Sequence, residues 1–201
     1  MILFFFQDII MAYILAFTVM VWWACVQGDE LPACVAVTPA PYFQNQMYEG
    51  HWYEVGKIQT PGGASFQEGC WCDVTDFTSP DPGLADGEVT YTCRKDGPQG
   101  KVKSASADLI YKGTPGQFKQ QFRFPFAPQL DYSIMYIDEN TTMEYDCHTN
   151  VLGITNYCIH FMSRHPTMSE NTLTSLIDYA ESLGLNNQNI TYKGTKQEGC
   201  W

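Results

Sequence analysis

Positive charge is scarce in this chain, which has 11 Lys and Arg residues against 22 Asp and Glu residues and a formal net charge of -11. The few basic residues form no cluster, whereas nucleic acids and anionic membranes are bound by basic faces. The sequence therefore argues against both kinds of partner. It also lacks internal repeats and low-complexity tracts, and its 201 residues are enough for one domain with a sizeable core.

Catalytic and metal-binding motifs are missing as well. No Ser/His/Asp set and no phosphate-binding loop is recognisable. The segment Cys70-Trp71-Cys72 reads C-x-C rather than C-x-x-C, and neither a second close pair nor a His partner accompanies it. The sequence therefore predicts a protein that is not an enzyme, binds no metal and requires no cofactor.

The first 28 residues carry one charge, Asp8, and are almost wholly apolar from Ile9 to Val26. This pattern predicts a secretory signal peptide over residues 1–28 and one domain over residues 29–201, although the leader lacks the usual positive charge. Met1 and Met11 are both candidate starts. An earlier cut near Ala24 and an uncleaved anchor are the alternatives. After cleavage the mature protein is expected to be extracellular, without integral membrane association.

Seven cysteines follow the leader, and in an oxidising compartment such residues form disulfides more often than metal sites. They are Cys34, Cys70, Cys72, Cys93, Cys147, Cys158 and Cys200. An odd number leaves at least one thiol free or bonded to another chain, so a homo-oligomer stays open. The sequons at Asn140 and Asn189 predict N-glycosylation.

Short segments rich in Tyr, Phe, Val, Ile and Thr, separated by turn residues, follow one another from Gly50 to Ser163. They predict eight consecutive antiparallel strands: residues 51–58, 70–78, 87–95, 101–112, 117–126, 131–138, 142–149 and 156–164. A helix over 170–185 and a short strand over 190–194 follow. Eight strands joined by hairpins can close into an up-and-down barrel that encloses one small ligand. The rival, a Greek-key sandwich, explains the late helix poorly.

Three features in order resemble the lipocalin family. Residues 50–54, GHWYE, are similar to its first motif, G-x-W-[YF]-E, and residues 163–166, SRHP, to its third motif, S-R-x-P. Residues 132–138 and 145–147 are similar to paired strands of apolipoprotein D, although Ile137 and Glu139 replace the usual Thr and Tyr. The crustacyanin and bilin-binding groups are also similar. The resemblance implies an all-β fold, an eight-stranded up-and-down antiparallel β-barrel (lipocalin/calycin) with one C-terminal α-helix packed outside.

The resemblance also implies structural roles. In lipocalins the motif tryptophan closes one end of the barrel and the arginine covers its indole, which assigns structural roles to Gly50, Trp52 and Arg164. By the same resemblance Cys34 bonds Cys147, and Cys200 bonds Cys72 or its neighbour Cys70, with Cys93 as a rival partner. For Cys93, Cys158 and the cysteine left over, a buried thiol is expected ahead of a disulfide or a covalently attached pigment.

Alternation along the strands places several aromatic and polar residues on inward faces. The face that carries Arg164 also carries Cys158, His160 and Met162. We predict an apolar cup with phenol hydroxyls and His160 as its few polar contacts. The predicted ligand-binding residues are Phe77, Tyr91, Cys93, Phe122, Phe124, Tyr132, Tyr136, His160 and Met162.

The function implied by the resemblance is that of a secreted carrier of a small hydrophobic ligand: a bilin, carotenoid, retinoid, steroid or fatty acid. A bilin or carotenoid would make it pigment-binding. One alternative is a lipocalin-type isomerase in which His160 activates the thiol of Cys93. The other is a subunit of a secreted pigment-protein complex, motivated by the unpaired cysteine and by Trp201 at the end of the chain.

Overall fold

The computed structural model describes residues 32–79 and 86–201. The predicted signal peptide and most of the connection between the second and third predicted strands lie outside these ranges. Among the described residues, no helix has both the length and the apolar character needed to cross a membrane.

Eight antiparallel strands form a closed barrel in which each strand pairs with its neighbours in the chain. Pairing of the first strand with both the second and the eighth closes the barrel. The strands are β1 (Gly50–Gln59), β2 (Cys70–Thr78), β3 (Gly87–Lys95), β4 (Val102–Tyr111), β5 (Gln117–Phe122), β6 (Gln129–Ile137), β7 (Thr141–Thr149) and β8 (Thr155–Ser163). The predicted eight-stranded up-and-down barrel is therefore confirmed.

One helix packs outside the barrel, as predicted. This helix, α2 (Glu170–Ser182), begins where the Ser169 hydroxyl accepts a hydrogen bond from the Thr172 amide, 3.1 Å away. Gly184, at φ +67°, takes the left-handed conformation that ends the helix. Leu176 and Ala180 are buried against outward-facing side chains of β6, β7 and β8. A two-residue strand, β9 (Lys193–Gly194), then pairs with β1.

The end of the barrel where β1 begins is filled by an apolar core. A short helix, α1 (Asn45–Tyr48), leads the chain across this end. Aromatic rings dominate the closed-end core, which contains Phe43, Tyr48, Trp52, Phe77, Phe118, Tyr132 and Met162. At the other end, β1 and β2 are joined by residues 60–69, which include a 3-10 turn over Ser65–Gln67. These residues form part of the open end of the barrel.

Three disulfides link cysteines of the described chain. Cys34 bonds Cys147, and Cys72 bonds Cys200, so each terminal segment is tied to the barrel wall. The third bond joins Cys70 to Cys93. The expectation of a buried thiol at Cys93 is therefore wrong, and Cys93 is excluded as the partner of Cys200. Among the described residues, Cys158 is the one free cysteine, and it is buried.

A bulge in β2 explains the third bond. Simple alternation places residues two apart on the same face, which would send Cys70 and Cys72 in one direction. The pairing of β2 with β3 instead shifts register between Trp71 and Val74, and Cys72 has a φ of +55°. The two cysteines consequently take different partners, Cys93 and Cys200.

A second irregularity lies in β6. Its register against β7 shifts between Ile134 and Tyr136. Ile134 points into the barrel, whereas Met135 and Tyr136 both pack with the outer residues beneath α2. The prediction that Tyr136 lines the cavity is wrong, because the bulge turns its side chain outward and its hydroxyl donates to Asp138, 2.8 Å away.

Candidate ligand-binding site

The closed end is sealed by Trp52 and Arg164. Trp52 is fully buried and donates its indole N–H to the carbonyl of Tyr48, 2.7 Å away. The guanidinium of Arg164 lies over the indole and also donates to the carbonyls of Met47, Glu49 and His51 at 2.8–3.0 Å. This is the arrangement that the resemblance implied, and it joins the chain before β1 to the end of β8.

A cavity of about 150 Å³ opens at the other end of the barrel. Its upper wall is aromatic, with Phe66 from the β1–β2 connection, Phe122 from the end of β5 and Phe124 two residues beyond it. Phe124 is about half exposed, at 48%, and therefore lies at the mouth. The floor is polar and includes Tyr91, Gln120, Asp146 and His160.

The predicted ligand-binding residues are distributed over several places. Four of them line the cavity: Tyr91, Phe122, Phe124 and His160. Phe77, Tyr132 and Met162 point inward but pack in the closed-end core. Cys93 is bonded to Cys70, and the side chain of Tyr136 lies outside the barrel. Strand alternation therefore predicts correctly that most of these side chains point inward, but it does not distinguish the cavity from the closed-end core.

Between the cavity and the closed-end core lies a polar layer that the sequence analysis missed. It consists of Glu54, Lys57, Asp73, Glu144, Asp146, Cys158 and His160, all of them buried. The prediction that His160 and phenol hydroxyls are the few polar groups of an apolar cup is wrong. Strand alternation contains the signal for this layer. Glu54 shares the inward face of Trp52. Glu144 and Asp146 lie on the face opposite that of Cys147, whose disulfide is on the outer side of the barrel.

His160 stands at the centre of this layer. Its Nδ1 atom lies 2.7 Å from Oε2 of Glu54, and its Nε2 atom lies 3.0 Å from Oδ2 of Asp146. Sγ of Cys158 is 3.8 Å from Nδ1. Burial alone would lower the pKa of His160, but contacts with Cys158, Asp146 and Glu54 raise this pKa well above its ordinary value. The imidazole therefore holds a proton between two carboxylates.

Lys57 lies between two carboxyl groups of the layer, Glu54 and Asp73. Its Nζ atom lies 2.7 Å from Oε1 of Glu54 and 3.7 Å from Oδ2 of Asp73. Burial alone would raise the pKa of Glu54, yet Lys57 and His160 lower it to about 2. Burial, followed by the charge of Glu54, raises the pKa of Asp73 to about 8. Glu54 is thus the ionised partner of the lysine, and Asp73 stays protonated at neutral pH.

Glu144 completes the layer on the side of the closed-end core. Its carboxyl oxygens accept hydrogen bonds from the hydroxyls of Tyr48 and Tyr132, each 2.6 Å away. Burial raises the pKa of Glu144. Burial also raises the pKa of the Cys158 thiol to about 11, so this cysteine is a neutral thiol in the resting protein. The floor of the cavity is therefore charged and hydrogen-bonded, whereas its mouth is aromatic.

A model of the lipocalin-like domain family matches residues 44–194. The chain therefore belongs to the lipocalin-like family, and the family recognised from its motifs is confirmed. This family typically binds small hydrophobic ligands.

Individual relatives agree with this assignment. The chain is 25% identical over 177 residues to apolipoprotein D of Mus musculus, with 87% of each protein covered. It resembles lobster apocrustacyanin A1 with a TM-score of 0.64 at 14% identity, covering 87% of this chain and 94% of that one. Insecticyanin from the tobacco hornworm Manduca sexta gives a TM-score of 0.66 at 15% identity, with coverages of 84% and 88%. At such identities the two structural likenesses show the fold alone.

Proposed function

We propose that this chain is a secreted carrier, not an enzyme, and that it holds one small hydrophobic molecule in the cavity at the open end of the barrel. The apolar body of the ligand lies against Phe66, Phe122 and Phe124, and its polar end faces Tyr91 and His160. The observation that carries the proposal is the cavity itself, with aromatic walls above a polar floor. Burial of apolar ligand surface supplies about 25 cal/mol per Å² as the driving free energy.

The volume of the cavity narrows the choice of ligand. A space of about 150 Å³ holds roughly one aromatic ring, since an apolar cavity of that size binds benzene. A retinoid or fatty acid fits if one ring or chain end enters and the remainder lies at the mouth. A bilin, carotenoid or steroid requires the connection over residues 62–67 and the half-exposed Phe124 to move outward. We therefore favour ligands that enter by one narrow end.

Secretion and the absence of catalysis are supported by the cysteines. Three disulfides are formed in the described chain, which is typical of proteins from oxidising compartments. The alternative enzyme needs a free thiol at Cys93, but that sulfur is bonded to Cys70. Cys158 is free, but its raised pKa leaves little thiolate to act as a nucleophile.

The interaction alternative loses one of its two motivations. The free cysteine is buried and therefore not available for a bond to another chain. Trp201 packs edge-on against Tyr53, with ring centres 5.1 Å apart, and donates its indole N–H to Gln197. It nevertheless stays 61% exposed, so its surface is open to a partner. The oligomeric state stays a prediction for sedimentation to test.

The test is a titration of the purified, delipidated protein with retinol, palmitate, progesterone, biliverdin and β-carotene, followed by tryptophan fluorescence or probe displacement. Wild type should bind retinol or palmitate with one site per chain. Phe122→Ala should weaken binding by about 10- to 100-fold, because one buried aromatic side chain is worth about 1.5–3 kcal/mol. Phe126→Ala is the matched control, since Phe126 is fully exposed and lies outside the cavity lining. Failure of all five compounds to bind, or equal losses in both variants, would contradict the proposal.

A further inference from the structure

Two neighbouring strands bring a carboxylate, a thiol and an imidazole to one point in the polar layer. In the antiparallel pairing of β7 with β8, Asp146 stands directly opposite Cys158, and His160 follows two residues later on the same inward face. One donor atom from each of these residues lies within 4.8 Å of the donor atoms of the other two. All three residues are buried, so the donors are held in place by the barrel wall.

We infer that Asp146, Cys158 and His160 bind a zinc ion at the floor of the cavity. Cysteine sulfur, histidine nitrogen and aspartate oxygen are all ligands of zinc, whereas magnesium and calcium take oxygen ligands. Three protein ligands leave one position of a tetrahedral ion open. Since Asp146 and His160 line the cavity, the ion would border the space that the proposed hydrophobic ligand occupies.

The surroundings of His160 suit a metal ligand. Zinc-binding histidines almost always donate their second ring N–H to a carboxylate or a carbonyl, which fixes the ring. With Nε2 as the ligand, Nδ1 keeps its partner Glu54, whose Oε2 atom is 2.7 Å away. The coordinating carboxylate, Asp146, already lies 3.0 Å from Nε2. Sγ of Cys158 lies 3.8 Å from Nδ1, so the thiol has to turn towards Nε2 before the three donors surround one ion.

Binding of Zn²⁺ with loss of two protons leaves the net charge of the layer unchanged. Within the described chain the barrel interior buries four carboxyl groups, Glu54, Asp73, Glu144 and Asp146, of which Asp73 is protonated, and two basic groups, Lys57 and His160. Binding of Zn²⁺ would release the thiol proton of Cys158 and the second ring proton of His160 to solvent, so that the sulfur and Nε2 donate their electron pairs to the metal. The inference does not depend on the proposed hydrophobic ligand.

The first test uses wild-type protein that has been dialysed against a chelator, freed of it and titrated with Co²⁺. Coordination by Cys158 should produce a sulfur-to-cobalt charge-transfer band in the near ultraviolet that saturates at one ion per chain and disappears when Zn²⁺ is added. The remaining cysteines of the described chain are in disulfides, so the band reports on this site. A wild-type protein that shows no such band would overturn the inference, whether or not it binds a hydrophobic ligand.

The second test measures the Zn²⁺ affinity of variants by competition with a chromophoric chelator. Cys158→Ser and Asp146→Asn should each lose more than about 100-fold, because even partners outside the coordination shell are worth 10- to 100-fold. His51→Asn is the matched control, since His51 and Asp76 form an exposed imidazole–carboxylate pair at 2.7 Å. Near-ultraviolet circular dichroism would verify that each variant is folded. Folded Cys158→Ser that binds Zn²⁺ as wild type does would contradict the assignment.

Discussion

The guanidinium carbon of Arg164 lies 3.5 Å from the centre of the Trp52 ring, so that the residue after β8 covers a residue of β1. The same guanidinium donates to three carbonyls of residues 47–51, and each of these carbonyls would lose its donor if the side chain were shortened. The closed end of the barrel therefore depends on one cation. The aromatic core beneath it separates this end from the cavity at the other.

Replacing Arg164 should destabilise the fold without abolishing the cavity. We predict that Arg164→Ala lowers the free energy of unfolding by about 2–4 kcal/mol, from the cation–π contact and the charged hydrogen bonds together. Guanidinium chloride unfolding, followed by tryptophan fluorescence, would measure this. Arg123→Ala is the control, because Arg123 forms ion pairs with Glu88 and Asp108 on the surface and its loss should change stability little. Equal effects of the two substitutions would argue against a special role for the closed end.

The stability of the protein should fall as pH rises from about 4 to about 8. Burial raises the pKa of Asp73 to about 8, so the folded protein keeps a proton that the unfolded chain loses above its ordinary pKa of about 3.9. While the folded state binds the extra proton, each unit of pH removes at most about 1.4 kcal/mol, and the decline ends once pH exceeds the folded pKa. Asp73→Asn removes this group and should give a flatter profile.

Urea unfolding at pH 5, 7 and 9 would measure the slope for wild type and Asp73→Asn. The variant should be the more stable protein at pH 9. Asp76→Asn, a half-exposed residue of the same strand that pairs with His51, is the control for replacing an aspartate in β2. Parallel curves for wild type and Asp73→Asn would show that Asp73 does not carry a buried proton.

The disulfide pairing can be mapped directly. Proteolysis under non-reducing conditions should yield linked peptides for Cys34–Cys147, Cys70–Cys93 and Cys72–Cys200. Iodoacetamide should leave the native mature protein unlabelled and add one label after denaturation, at Cys158, because that thiol is buried and its pKa is raised. Labelling of Cys93, or rapid labelling without denaturant, would contradict this account.

Removing the Cys70–Cys93 disulfide, which the sequence did not predict, should destabilise the open end of the barrel. Cys70→Ser with Cys93→Ser should cost about 2–4 kcal/mol of unfolding free energy, because the bond closes a loop between β2 and β3. Differential scanning calorimetry would measure the loss. Cys158→Ser, compared with wild type in metal-free buffer, is the control and should retain nearly all of the stability, since its sulfur closes no loop. A double variant as stable as wild type would show that Cys70 and Cys93 are not bonded.

Local sequence patterns predicted much of the fold. Turn residues and alternating strands predicted the hairpins, and the apolar spacing of Leu176 and Ala180 predicted the outer helix, because each signal depends on a few neighbouring residues. The family motifs supplied the contact of Arg164 with Trp52, which joins residues more than a hundred positions apart. Strand alternation alone could not have placed the two side chains together.

The predictions of side-chain direction are wrong where a bulge interrupts the alternation of a strand, and the polar layer was missed because alternation was not applied to every strand. One bulge turns Tyr136 outward, and another separates Cys70 from Cys72, and neither bulge leaves a clear mark in the sequence. The polar layer was a different kind of omission. Alternation along β7 is enough to place Glu144 and Asp146 inside once Cys147 is known to point outward, but only the register of β7 against β8 shows that Asp146 meets Cys158 and His160.

Native mass spectrometry of the protein purified from its native source, before and after solvent extraction, tests the central claim most directly. The carrier account predicts one small hydrophobic molecule per chain, lost on extraction and regained on titration, with Phe122→Ala binding it more weakly than Phe126→Ala. A protein that has the mass of the bare chain throughout, and that takes up none of the five ligand classes after extraction, would contradict the account.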